Sequence, residues 1–400
     1  MLKINNYIHK NIIFLISLLL MLQPIIDTLI GLSIEYNYLT SFTFIFRFSI
    51  FAFFLYYFIF IYRSPLKKYY LLLLGIIATY ILMYFIHMDY NISELKIAIR
   101  VFYLPIIFII LNAIFGHQKQ LLDKKIFLIA LGTYSFIILL SFITNTAFNS
   151  YDAVKLGQSG YFHAANEIGA IIAILLPFTI DYLANNITTK KILYFLLVVI
   201  AILILGTKTP FISLVICMVV YLFKFINNKN ILKLTMLSIV SIIFFGFLLT
   251  LTPIYKNLII HLEYLKIDNI KELIFDINSF DHFFLGSRFR LFIENTMFYL
   301  DNPINYQLFG VGYLNYSKLI EMDFFDILYR QGLIGFSLYF IPIIYLFNIY
   351  KKYYNAKYTL SIILIVLVAG VVGHVLVAPA VSIFVATILA LSIGGRENES

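Results

Sequence analysis

Charge is what this chain has least of. Asp, Glu, Lys and Arg make up 12% of its 400 residues, against 62% hydrophobic ones, too little polar surface to coat a water-soluble globule. Cysteine occurs once, as Cys217, which excludes an intrachain disulfide. Tryptophan is absent while tyrosine occurs 31 times, so tyrosine has to supply any interfacial aromatic belts. No Walker, Rossmann or nucleophile-elbow pattern is present. No metal-ligand spacing occurs either: His261 and His282 stand apart, and His374 is isolated. Neither a metal nor a cofactor is expected. A net charge of +9 raises the question of nucleic acid, but the lysines sit in short loops between apolar runs. That is a topology signal, and no nucleic-acid partner is expected.

What is there is apolar sequence in lengths near twenty residues, enough for a helix to cross the roughly 30 Å hydrocarbon core. Spans are expected near 11–30, 39–62, 69–87, 99–115, 126–145, 166–184, 191–206, 209–226, 231–252, 329–349, 358–376 and 379–394. The first run follows Lys3 and Lys10, lacks a small-residue cleavage site and contains Gln23-Pro24, so it reads as an uncleaved helix. The fold class is all-α, a polytopic membrane protein of about twelve transmembrane helices. The bilayer is its first partner.

Loops alternate in charge. One set carries Arg63, Lys67 and Lys68; Lys119, Lys124 and Lys125; Lys190 and Lys191; Lys224, Lys229 and Lys233; Lys351, Lys352 and Lys357; and Arg396. The other carries Glu35; Asp89, Glu94 and Lys96; Asp152 and Lys155; and Lys208. By the positive-inside rule the first set is cytoplasmic, together with both termini. The chain then divides into helices 1–9 (1–252), an extracytoplasmic loop (253–328), and helices 10–12 with a cytoplasmic tail (329–400). Within the loop, Tyr255 to Ile277 reads as an amphipathic helix. A second helix starts after the N-cap residue Ser287 and stops at Asn302-Pro303. Such helices either lie in the headgroup plane or simply cap the bundle.

Arginine is scarce and unevenly placed. Arg47, Arg100, Arg288, Arg290 and Arg330 all fall outside in this topology, in a chain that otherwise prefers lysine. Arginine's planar fork grips phosphate bidentately and stays charged when partly buried. Arg47, about two turns below the outer surface, either pairs with Glu35 or Asp89 or faces a site for a phosphorylated, lipid-borne substrate. Around the tenth span, Glu321, Asp323, Asp326 and Arg330 precede Gly332 and Gly335. If helical, Asp323, Asp326 and Arg330 share one face. They then make a salt bridge and complement the helix dipole, or a carboxylate among them removes a proton from a sugar hydroxyl. The two glycines would let another helix come close. Two further segments stand out. Gly157 to Gly169 contains His163, Asn166 and Glu167; Gly206-Thr207-Lys208-Thr209-Pro210 forms a turn whose only charge is Lys208.

Together these segments resemble the bacterial O-antigen ligase and polymerase family. The glycine-led run ending Asn166-Glu167-Ile168-Gly169 is similar to that family's entry into a middle span. Gly206-Thr207-Lys208-Thr209 resembles its T-x-S-R turn, with Lys208 in the arginine's place. Leu285-Gly286-Ser287-Arg288 and Gly310-Val311-Gly312 resemble its loop helix and G-x-G, and Asp323 to Gly335 the segment that follows. The family's ligases carry a histidine eleven residues before this last glycine pair; here Glu321 stands in that place.

The resemblance implies a GT-C-like glycosyltransferase using undecaprenyl-diphosphate-linked oligosaccharide at the outer face of the bacterial cytoplasmic membrane, in company with other polysaccharide-assembly proteins. A polymerase of surface polysaccharide is favoured over a ligase. The candidate base is Glu321 or Asp323; Arg47, Lys208, Arg288 and Arg290 are candidates for the diphosphate, and Asn166, His163 and Arg330 for positioning. A flippase of lipid-linked oligosaccharide is the alternative, although no repeated halves are visible.

Overall fold

The computed structural model describes residues 2–36, 42–62, 67–87, 92–116, 122–151, 156–184, 188–226, 255, 259, 288–312, 320–373 and 375–394. These residues are almost entirely helical. They form α1 (Leu2–Glu35), α2 (Phe42–Tyr56, continued by a π-helical turn Tyr57–Tyr62), α3 (Lys67–His87), α4 (Ile92–Phe115), α5 (Lys125–Ile143), α6 (Ala165–Ala184), α7 (Thr189–Leu205) and α8 (Lys208–Ile226). Further along the chain come α9 (Arg288–Asp301), α10 (Ile304–Phe309), α11 (Asp323–Tyr350), α12 (Thr359–Val371) and α13 (Pro379–Ser392).

Among the described residues, six helices are long and apolar enough to cross a membrane. Every expected span falls on a helix except 231–252, which lies outside the described residues, as does most of Tyr255 to Ile277. The protein is an all-α polytopic membrane protein. One small departure is an antiparallel hairpin, β1 (Phe148–Tyr151) with β2 (Leu156–Gly160), in register Tyr151↔Leu156.

By packing, the chain forms two compact units: residues 1–20, 41–123 and 284–400, and residues 21–40 and 124–283. In the first, α4 is central: 83% of its most apolar window is buried, and it packs against α2, α3, α11 and α13. A helix apolar all round belongs inside, and this one obeys. Its one buried amide, Asn112, accepts from the Tyr69 hydroxyl at 3.1 Å; Tyr69 and Lys68 both lie within hydrogen-bond reach of the Tyr350 hydroxyl. Such bonds tie helices together where apolar packing alone does not distinguish helix from lipid. In the second unit, α6 is the buried helix, packed on α5, α7 and α8. There the Tyr134 hydroxyl and the Gln23 amide both donate to the buried Asp27 carboxylate, at 2.6 and 2.9 Å.

Candidate active site at the start of helix α11

The site in the first unit begins with α9. Its Leu291, Phe292 and Tyr299 pack on Tyr329, Phe325, Val311 and Ile320 in a small apolar cluster. The Phe292 and Phe325 rings lie 4.6 Å apart, and the Thr296 hydroxyl meets that of Tyr329 at 2.5 Å. Burial pushes the Tyr299 phenol above its ordinary value, with Tyr329 adding to the shift. The helix boundaries expected from Ser287 and Asn302-Pro303 agree with the observed Arg288–Asp301.

Two glycine contacts then fix α10 to α11. Gly332 interrupts α11 at φ 65° and ψ −175°, which frees carbonyls just before it. The N–H groups of Val311 and Gly312 donate to the Tyr329 and Arg330 carbonyls at 3.0 and 3.1 Å. A Cβ on Gly310 would lie 2.1 Å from the Arg330 oxygen, and one on Gly332 would lie 2.4 Å from the Leu308 carbonyl. Gly332 therefore does let a neighbour come close, as expected, and the neighbour is the end of the short helix α10.

This clamp carries the charged groups. Asp323, Asp326 and Arg330 are helical and all largely buried, on one face as the spacing predicts. Asp326 accepts from the Ile320 N–H at 3.0 Å. Asp323 reaches across to accept from the N–H groups of both Val375 and Leu376 at 2.7 Å. Those two residues lie in non-helical backbone between α12 and α13, helices of 13 and 14 residues, each roughly 20 Å long by helix rise and so shorter than the hydrocarbon core. Buried N–H groups outside a helix need a partner within the protein, and Asp323 supplies it for these two. Glu321, by contrast, is partly exposed and accepts from Arg288 Nη2 at 2.5 Å. Its φ is +62°, a conformation that a glutamate rarely adopts. Gly373 holds it there: a Cβ on that glycine would lie 2.4 Å from the Glu321 oxygen. Arg290, two residues beyond Arg288, is 79% exposed and pairs with Glu294 on its own helix.

The sequence matches the family described as O-antigen ligase like membrane protein over residues 8–272 and 278–397. The chain belongs to this family. It is an integral membrane enzyme of a family of transferases acting on lipid-linked glycan. No curated protein and no solved structure matches it.

The other segments that resemble the O-antigen ligase family meet in the second unit. His163 is exposed just before α6, and Asn166 is half-buried in its first turn. Gly31 presses on this approach, since a Cβ there would lie 2.0 Å from the Tyr161 oxygen. Lys208, half-buried, opens α8 after the Gly206 turn at φ 69°. The Gly157-to-Gly169 segment packs on that turn. The Ser150 hydroxyl donates to the Leu205 carbonyl at 2.7 Å, a Cβ on Gly157 would lie 2.5 Å from the same oxygen, and one on Gly169 would lie 2.8 Å from Thr207 Oγ1. Arg47 lies in the first unit near the start of α2, half-buried. Nothing in the sequence singles out Gly373 or Asp27. The first lies 52 residues from Glu321, three after Gly370, and the second is one acid in an apolar run, recognisable only as a charge where charge is expensive.

Proposed function

We propose that this chain is a metal-independent glycosyltransferase that joins undecaprenyl-diphosphate-linked repeat units at the outer face of the bacterial cytoplasmic membrane, as a surface-polysaccharide polymerase. The observation that carries the reading is the contact of Arg288 with Glu321 at 2.5 Å, on a carboxylate held in a costly backbone conformation beside the one long outer loop. In the proposed reaction a sugar hydroxyl of one repeat unit attacks the anomeric carbon of another. Glu321 takes the hydroxyl proton. The new glycosidic bond forms as the bond from that carbon to the diphosphate oxygen breaks, and the electron pair leaves on the lipid diphosphate. Arg288 meets the charge that develops there. One ion pair thus supplies both a base and a cation.

Asp323 suits this role less well, because its carboxylate already serves two backbone N–H groups. It positions the segment that holds Gly373. Arg330 positions Gly312 through its carbonyl. Arg47 and Lys208 are kept as further cations for the diphosphate, with Asn166 and His163 as positioning groups; Arg290, exposed and paired with Glu294, suits that role less well. Glu321 in the place of the ligases' histidine favours polymerase over ligase.

Reconstitution tests this reading. Liposomes holding the protein and lipid-linked repeat units as sole substrate should yield longer glycans on the lipid carrier, with release of undecaprenyl diphosphate. Extension seen only after addition of a different acceptor would make the protein a ligase. Movement of repeat units between leaflets with no new glycosidic bond would make it a flippase.

A further inference from the structure

Helices α11 and α12 leave a groove between them. Phe340, Ile343, Ile344, Phe347, Asn348 and Lys351 line it from α11, at the three- and four-residue spacing of one helix face. Ile362 and Val366 face them from α12, over a floor that includes the buried Leu104 of α4 and Leu389 of α13. Its volume is about 760 Å³, several times that of the ~150 Å³ apolar cavity that stays dry and takes up a benzene ring. Ile344 and Val366 are exposed at the rim, so the groove opens sideways to lipid.

One end of the groove is closed by aromatic rings. Gly332 breaks α11, so that Phe324 and Phe340, sixteen positions apart, meet with their rings at 5.6 Å. On an unbroken helix they would stand about 24 Å apart. Gly370 of α12 leaves room for the Phe324 ring beside it. The other end is polar. It holds Asn348, Lys351 and Tyr354, whose hydroxyl meets that of Thr359, the first residue of α12, at 2.8 Å. From Phe340 to Lys351 the helix rises about 17 Å, close to half of the roughly 30 Å hydrocarbon core. The groove is thus as long as one leaflet is deep.

Charge decides which leaflet and which headgroup. Lys352 and Lys357 follow Lys351 within six residues, and no acidic residue occurs from Ile327 to Arg396. Asp123 acts on Tyr358 through its charge at the same end. In the topology expected from the lysine distribution this end is cytoplasmic. Lysines there meet the anionic lipids of the inner leaflet.

We propose that the groove holds one acyl chain of an anionic phospholipid from the cytoplasmic leaflet, with Lys351 at its phosphate. The site involves neither Arg288 nor Glu321 and stands independently of the reaction.

The chain has no tryptophan, so one introduced at the groove reports alone. Full-length Ile344→Trp and, as a control, Ile363→Trp are placed in phosphatidylcholine nanodiscs. Each is titrated with phosphatidylglycerol brominated on its acyl chains. Both positions are exposed, but Ile363 does not line the groove. Half-maximal quenching of Ile344→Trp should need several-fold less brominated phosphatidylglycerol than that of Ile363→Trp. Brominated phosphatidylcholine should quench each in proportion to its mole fraction. Adding Lys351→Gln, a change at an exposed side chain, should raise the half-maximal amount for Ile344→Trp about five-fold, the effect of one lysine beside an anionic surface. The original protein, extracted by detergent from liposomes containing phosphatidylglycerol, should retain one such lipid in native mass spectrometry. No retained phosphatidylglycerol, or equal quenching at the two positions, would overturn the site. An unchanged half-maximal amount in the Lys351→Gln variant would overturn the headgroup assignment. Loss of the excess quenching on addition of farnesyl diphosphate would give the groove to an isoprenoid chain instead.

Discussion

Two junctions in this protein use the same backbone device for different ends. At the start of α11, Gly310, Gly332 and Gly373 bring strands of backbone closer than any side chain would allow, against Arg330, Leu308 and Glu321. In the second unit, Gly157 does the same against the Leu205 carbonyl, and Gly169 makes room for the Thr207 side chain. The first junction forces a glutamate to a positive φ and sets an arginine against it. In the second the positive-φ residues are Gly157 and Gly206, glycines that adopt this conformation at no such cost. Among the described residues, the other non-glycine with positive φ is Asn145, a residue type that tolerates that conformation. On the proposed reading, the first junction sets the reacting pair and the second supports it.

Glycine replacement breaks the comparison most severely. Gly310→Ala and Gly157→Ala each add a methyl group where backbone already stands, at φ +81° and +70°. Overpacking costs about 1–3 kcal/mol, and the left-handed conformation adds about 1–2 kcal/mol. Thermal unfolding in detergent should show a similar loss for both. Chain extension per folded molecule should fall further for Gly310→Ala, which disturbs the Glu321 junction, than for Gly157→Ala, which lies beside the positioning groups. An equal fall for Gly157→Ala would give the second junction as large a part in the reaction as the first.

Asp323→Asn comes next. It weakens two bonds to a charged acceptor at 2.7 Å, and such bonds are worth about 1.5–3 kcal/mol each. The melting transition should drop, while extension by the folded fraction stays within a few-fold of normal. A properly folded but inactive variant would return Asp323 to the role of base. The smallest effect belongs to Arg290→Lys. Its pair with Glu294 is solvent-exposed and worth about 0–1 kcal/mol. Extension should be nearly unchanged, whereas Arg288→Lys should lower it sharply. Equal losses in the two variants would erase the distinction drawn between neighbouring arginines on α9.

The spans and the limits of α9 are legible from the sequence because each rests on local physics: apolar length against the bilayer, and a cap with a proline stop. The shared face of Asp323, Asp326 and Arg330 follows from helical spacing. What Asp323 bonds to does not, because Val375 and Leu376 lie some fifty residues on and show no pattern of their own. The β1–β2 hairpin escaped for a different reason: strands of four and five residues carry no clear alternation. Lys351 reads as one more cytoplasmic lysine until the fold places it at the polar end of an apolar groove. Glu321 is distinguished in the sequence only by resemblance to the ligases. Its strain and its arginine appear only in three dimensions.

The central claim is that Glu321, set against Arg288, removes the proton from the attacking hydroxyl. It is tested most directly by chain extension in liposomes with Glu321→Gln, compared with the original protein at equal folded amount and with binding of the lipid-linked substrate measured alongside. General-base catalysis typically contributes roughly 10²–10⁴-fold, so extension should fall by that factor while binding persists. Extension within a few-fold of normal would contradict the assignment and with it the account of this site.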